Sequence, residues 1–390
     1  MTTPSPPWSL ARTDELRARI LFTLGALLVW RMLAAVTLPG LSVDALSTLA
    51  RGGSAGLMDR VGVAALGLTP FMAAWAMTEL ARGSIADATL DKVRRWLTML
   101  LAVGQGVGLA IALEGVDKAV VEPGWQFRSG AVATLTAGTM FLVWLGEQIT
   151  RRGLGDGIWL LIAAQVIHGL PGWLAAAMQV VGSGAVSAAT LMAVVGAVMA
   201  LVVLVVFVEQ AERRLPVSPE SAGYGAERLV LRIDNVTILP LTMATMLLLL
   251  PALLAAVANS AFGRVPWLSD LGLALTSSRP VQIAAIAVRM MPLTVVLTAI
   301  VCRPRDIVAR LRRDGASIAG ETPAESERHI DGVIGRLTAI AAPYLLAVYL
   351  VPELVQLWTG ISLPLAGVQL LVVVLVALRV INQARAILTE

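Results

Sequence analysis

Ten stretches of this chain are each apolar over about the twenty residues a helix needs to cross a hydrocarbon core, a pattern no soluble fold requires. They are residues 20–39, 63–81, 95–114, 129–149, 157–178, 187–209, 234–258, 281–302, 333–353 and 363–388. A bilayer offers backbone N–H and C=O groups no partners, so segments of this length and composition must be helices. The predicted class is an all-α polytopic membrane protein with ten transmembrane helices. Two stretches depart from the pattern: the second carries Pro70 inside it, and the last is long enough to project beyond the bilayer. Composition agrees. Hydrophobic residues make up 57% of the chain and charged residues 14%, where a soluble domain carries about a quarter charged.

Several chemistries are excluded. A single cysteine, Cys302, allows neither a disulfide framework nor a cysteine metal site. His168 and His329 are far apart and lack an H-E-x-x-H pattern, so they read as ordinary polar positions, and no metal or cofactor is expected. No G-x-x-x-x-G-K-[ST] is present. Any transport work then draws on a partner or a gradient, and no enzymatic role is expected. Residues 1–19 are polar and hold Arg12, Arg17 and Arg19. The apolar run after them is long, contains Arg31 and ends at Pro39-Gly40, which reads as a first span and not a cleaved signal.

Charge sets the orientation. With the N-terminus inside, 22 of the 30 basic residues fall on inner segments and their flanks and 6 on outer loops, while Arg31 and Arg289 lie within spans. The positive-inside rule therefore puts both termini in the cytoplasm. Two inner loops are long, about 210–232 and about 303–332. Their arginines (Arg213, Arg214, Arg303, Arg305, Arg310, Arg312 and Arg313) read either as solvated loop residues or as a docking surface for a soluble partner or ribosomal RNA.

Thr139 to Thr150 (TMFLVWLGEQIT) runs into Arg151-Arg-Gly-Leu-Gly-Asp-Gly-Ile158. Taken alone, Gly153 to Gly157 suggests a nucleotide-binding loop, but it lies between two spans with no strand before it. The stretch resembles the SecY family of protein-conducting channels. The likeness recurs in Ala65 to Phe71 (ALGLTPF), Val206 to Pro216, Arg303 to Gly315, and from Arg336 to Leu354, five blocks in the family's order.

This resemblance implies two pseudo-symmetric inverted halves around a central pore, spans 1–5 (residues 20–178) and spans 6–10 (residues 179–390). It also implies a plug at about 42–62, for which a plain outer loop is the alternative. The implied protein is the central channel subunit of the Sec translocase in a bacterial cytoplasmic (inner) membrane. Its implied partners are SecE- and SecG-like small membrane subunits, the SecA motor or the ribosome, signal-bearing polypeptides and membrane lipids.

A channel for polypeptides must pass polar chains without leaking ions, and a narrow aliphatic ring does this because it dewets when empty. By resemblance the ring is Leu68, Met72, Ile158, Ile162, Thr242 and Val372; the alternative for each is apolar packing or a lipid-facing position. Thr242 stands where an aliphatic residue is expected. The lateral gate is implied at Glu79, Gln105 and Asp234, with carboxylates at the first and last where amides are expected. Those two carboxylates lie either within the membrane or solvated at the cytoplasmic interface. Thr322, in Gly320-Glu-Thr-Pro-Ala324, stands where the family has an arginine that engages SecA, which implies a divergent or accessory paralogue. Two other classes stay open: an inverted-repeat secondary transporter, with Arg31, Glu79, Asp234 and Arg289 as its buried charges, and an insertase that never conducts a soluble chain.

Overall fold

The computed structural model describes residues 7–42, 61–81, 87–116, 119–184, 186–210, 212–219, 228–232, 316–318, 322–360 and 367–389, with scattered positions between 267 and 309. Its contacts divide the chain into two units: Met1–Leu191 with Leu249–Leu275 and Val372–Glu390, and Met192–Leu248 with Thr276–Leu371.

The first unit contains α1 (Pro7–Ala35), α2 (Thr69–Leu80), α3 (Asp87–Glu114), α4 (Trp125–Arg152) and α5 (Gly157–Gly182). Helix α4 is its centre and packs against α1, α2, α3 and α5. Phe127, Ala131, Leu135, Gly138, Leu142, Leu145 and Ile149, spaced by three and four, form one buried stripe along it. Small residues in that stripe admit close neighbours, as in membrane helix packing generally. A Cβ on Gly138 would overlap the carbonyl oxygen of Val63, and one on Gly146 would stand 2.8 Å from the Ile158 side chain.

At the end of these helices opposite the α4–α5 turn, residues 36–42 bridge two other segments. Val63 donates to the Val36 carbonyl (2.8 Å) and Leu38 to that of Val61 (3.1 Å), while Ser42 donates to Ala119 (2.9 Å). Leu38, Val61, Ala110, Leu113, Phe127 and Leu135 form the core beneath them. The Arg128 guanidinium and the Gly124 N–H both donate to the Glu114 carboxylate, at 2.6 Å and 2.9 Å.

Among the described residues seven helices are long and apolar enough to cross a membrane: Thr13–Ala35, Thr89–Glu114, Trp125–Arg152, Gly157–Gly182, Ala188–Glu209, Ala324–Thr359 and Gln369–Leu388. They correspond to predicted spans 1, 3, 4, 5, 6, 9 and 10. The second predicted span differs. Residues 63–68 form turns and the helix covers only Thr69–Leu80, 12 residues, about 18 Å at 1.5 Å per residue. Pro70 causes this: it occupies the first turn, where its missing N–H costs nothing, and does not interrupt a helix. The seventh predicted span (234–258) lies outside the described residues, the eighth (281–302) is described only at isolated positions, and most of the predicted plug, 43–60, is also outside them.

In the second unit, α6 (Ala188–Glu209) leads into β1 (Glu212–Pro219) and β2 (Arg228–Arg232), while β3 (Ala316–Ile318) precedes α7 (Pro323–Thr359). The two long inner loops, read from sequence as irregular, thus share an antiparallel sheet of order β2-β1-β3. Glu212 to Pro216 pair with Arg232 to Arg228, and Val217 to Pro219 with Ile318 to Ala316. Helix α7 begins well ahead of its predicted span, and its 37 residues measure about 55 Å. The Tyr344 hydroxyl donates to the Glu209 carboxylate, 3.3 Å away. The last helix, α8 (Val368–Thr389), enters the first unit from Val372 onward.

Candidate functional site

The turn between α4 and α5 is built from its amides. Gly153 N–H donates to the Ile149 carbonyl (2.7 Å), Leu154 N–H to Thr23 Oγ1 of α1 (3.0 Å) and Gly155 N–H to Gln383 Oε1 of α8 (2.6 Å). Gly157 N–H donates to Thr150 Oγ1 (2.8 Å) and Ile158 N–H to the Asp156 carboxylate (3.2 Å), which caps α5. The Gly-Leu-Gly-Asp-Gly segment therefore turns its amides to internal acceptors. A phosphate cradle would need them free, so the rejection of a nucleotide loop has a structural basis.

Beside this turn lies a cavity of about 340 Å³ lined by Phe71, Asp91, Arg94, Arg95, Glu147, Thr150, Arg151, Asp156 and Ile158. Its three arginines face three carboxylates. Arg95 and Arg151 both approach Glu147, at 3.2 Å and 3.8 Å. Arg94 approaches Asp91 (3.3 Å) and donates to Thr78 Oγ1 of α2 (3.2 Å). Pairs this exposed add little stability. Their effect is to leave a lining without excess charge of either sign, which also holds two apolar side chains, Phe71 and Ile158.

The structure brings four of the six predicted ring positions into one region. Leu68 and Met72 are buried at the start of α2, and Ile158 and Ile162 are half-buried on α5. The segment from Gly67 through α2 meets α5 antiparallel at two points, which bracket Leu68, Met72 and Ile162, with Ile158 just beyond. Trp75 and Trp159 stand edge to face with centroids 5.9 Å apart, and Gln165 lies beside Gly67, where a Cβ would come within 3.3 Å of its Oε1. Val372 is buried near the start of α8, whose later residue Val380 packs beside Gly155. Thr242 lies outside the described residues.

Of the predicted gate residues, Glu79 and Gln105 are described, and they stand apart along the length of α3. Glu79 is 1% exposed, so a carboxylate fully solvated at the interface is not what this position holds. Its neighbour Thr78 meets Arg94, whereas Gln105 is eleven residues further along α3, about 16 Å by helical rise. The Gln105 amide nitrogen is buried without a hydrogen-bond partner. Asp234 lies outside the described residues.

Of the predicted docking positions, Arg213 and Arg214 stand in β1 opposite Leu231 and Val230. Arg305 is exposed, 3.6 Å from Glu327, and Arg303, Arg310, Arg312 and Arg313 lie outside the described residues. Thr322 serves the fold as the N-cap of α7, where its N–H and hydroxyl both donate to Glu325, at 2.8 Å and 2.7 Å. Thr-Pro-x-Glu is a capping-box signal that sequence reasoning could have found. Thr322→Ala is expected to lower the melting temperature by about 2 °C, as a lost N-cap does; an unchanged melting curve would remove the cap's importance. Trp75, Trp159, Thr23 and Gln383 were also missed, because each acts through a partner distant in sequence.

A family model for SecY matches residues 63–381. The protein translocase subunit SecY of Escherichia coli strain K12 is 30% identical over 408 aligned positions, covering 96% of this chain and 92% of that protein. The same subunit of Vibrio cholerae is 31% identical over 409 positions, covering 95% and 91%. A solved SecY channel, studied for how its plug domain stabilises the closed state and maintains a membrane seal, superposes with a TM-score of 0.68 at 17% identity, covering 96% of this chain and 93% of that one. Sec61 in the canine ribosome–channel complex of the endoplasmic reticulum gives 0.65 at 15% identity, with coverage of 96% and 93%. The fold is the ten-helix, two-half architecture of these channels. By the family match and the near full-length identity together, this chain belongs to the SecY family.

Proposed function

We propose that this chain is the central channel subunit of a Sec-type protein translocase, passing unfolded secretory polypeptides across a bacterial cytoplasmic membrane and releasing apolar segments sideways into lipid. The observation that carries this reading is the charge-balanced cavity lined in part by Ile158, beside the α2–α5 contacts that bracket Leu68, Met72 and Ile162. A polypeptide of any charge enters such a cavity without being trapped by it, because the arginines and carboxylates already neutralise one another. The aliphatic side chains beyond offer no polar group to bind it and dewet when it leaves. Val372 and Thr242 complete the ring, and Glu79, Gln105 and Asp234 belong to the lateral exit.

The same reading has spans 1–5 and 6–10 as the two halves, residues 42–62 as the plug and both termini in the cytoplasm. It assigns SecE- and SecG-like subunits as membrane partners. Structurally similar channels, Sec61 and Ssh1, are known in complexes with ribosomes. Here the sheet joining the two inner loops is the landing surface for a ribosome or a SecA-type motor. With Thr322 committed to a helix cap where an arginine is expected, the motor contact is altered, which favours a specialised paralogue. A secondary transporter would need ionisable groups converging near the bilayer midplane. The one cluster of several charges described in the first unit stands instead beside the α4–α5 turn.

The test is a stalled, signal-bearing nascent chain with photocrosslinkers placed in turn at Leu68, Ile158, Glu79 and Gln105, and the first two are the channel positions. Crosslinks at both channel positions are expected. Crosslinks confined to Glu79 and Gln105 would replace the channel with an insertase, and none at any of the four would end both readings. Reconstitution with and without purified SecA then identifies the motor.

A further inference from the structure

Helix α2 is 12 residues long and buried over most of its surface, packing against α3 and α4. Ala73 and Ala74 pack on Leu101 of α3, and Thr78 meets Arg94 of the same helix. Toward α5 it reaches only through large or long side chains, with Trp75 against Trp159 at one end and Gln165 beside Gly67 at the other. The indoles are half-buried, their centroids 5.9 Å apart and their planes at 88°, the edge-to-face arrangement that aromatic pairs prefer.

The positions matter more than the contact. Trp75 follows Met72 by three residues, so the two share a face of α2. Trp159 adjoins Ile158 and precedes Ile162 by three residues on α5. A motion that separates α2 from α5 at this level draws the two indoles apart, and one that brings them together drives one ring into the other.

We infer that Trp75 and Trp159 are a cross-brace that sets the resting width of the aliphatic constriction; they are positioning residues, distinct from the ring that contacts the passing chain. This inference rests on the channel reading above. In its resting state the brace keeps α2 at a fixed offset from α5, so the constriction stays closed to ions. A translocating chain opens it by separating the pair.

Trp75→Leu, Trp159→Leu, the double variant and Trp159→Phe are purified, reconstituted and compared in planar bilayers without substrate, alongside their melting temperatures. Each leucine variant is expected to raise resting ion conductance roughly two- to ten-fold, the equilibrium shift an aromatic pair commands. The double variant is expected to do no more than either single, since both remove one interaction. Trp159→Phe keeps an aromatic edge and stays near wild type.

Conductance at the wild-type level in both single variants overturns the brace, as does an additive double variant. So does a shifted melting temperature with unchanged conductance, which would make the pair simple packing. If the leucine variants do not accumulate, Trp75→Met and Trp159→Met, which fill more of the indole's space without an aromatic ring, are measured instead. Raised conductance supports the brace, and wild-type conductance sinks it. A wild-type protein that conducts nothing even with a stalled chain bound refutes the channel reading itself; a conducting wild type with unresponsive tryptophan variants refutes only the brace.

Discussion

Gly157→Ala prevents the folded chain from accumulating. A Cβ at this position would overlap the carbonyl oxygen of Gly146 and stand 2.6 Å from Cβ of Ile149, both on α4. Neither can retreat along a flexible side chain, because one is backbone and the other is the first side-chain atom of a buried residue. Relief requires α5 to move away from α4, which breaks the hydrogen bonds from Gly157 and Ile158 that start the helix. Overpacking typically costs about 1–3 kcal/mol and exceeds that where the clash is with backbone, a large part of the roughly 5–15 kcal/mol that holds a domain folded. Gly169→Ala, in the same helix, is the control. Nothing lies within 4 Å of its added Cβ, and alanine is favoured over glycine in a helix by about 1 kcal/mol. The measurement is the yield of monodisperse protein in detergent and its melting temperature. A Gly157→Ala protein that melts with the wild type would refute the packing described for this turn.

Thr23→Val is the second large effect. Valine matches threonine in shape, so packing is kept and only the hydroxyl is lost. That hydroxyl donates to the Arg19 carbonyl (2.8 Å) and accepts from the buried Leu154 N–H (3.0 Å). Leaving a buried donor without a partner costs about 1–3 kcal/mol. Thr23→Ser retains the acceptor and should restore most of the loss. Gln383→Leu is the matching change on α8, where Gly155 N–H loses its acceptor, and Gln383→Glu keeps one. Hydrogen exchange of the amides at 153–158 distinguishes the cases: faster exchange in Thr23→Val and not in Thr23→Ser is expected, and equal exchange in both would show that the hydroxyl is dispensable.

Most helices were legible because hydropathy and length carry the same message in a bilayer, and α4 to α6 follow the predicted stretches closely, while α3 starts earlier than its stretch, at Asp87. Helix α2 was misjudged for a physical reason. Residues 63–81 are apolar throughout, so hydropathy holds no boundary, and the boundary is made by backbone preference at Gly67 (φ +55°) and Pro70. Sheet pairing was not legible at all. Val217 finds Ile318 across about a hundred residues of sequence, and strand preference depends on the neighbour a strand acquires. Glu79 was left open between solvent and membrane because its apolar flanks suit both. Its burial is decided by α3, which no local pattern reveals. The tryptophan pair has the same character, two ordinary span residues until tertiary structure makes them neighbours.

The small sheet has a mechanical side. Strand β1 gives its first five residues to β2 and its last three to β3, so the two partners are fastened to it in series along its length. A load applied to the segment before α7 reaches β2 only by passing through β1. The three-residue pairing is the shorter seam and yields first, while the five-residue pairing stays closed. A pull on the segment before α7 is therefore expected to part it from β1 while β1 and β2 stay paired.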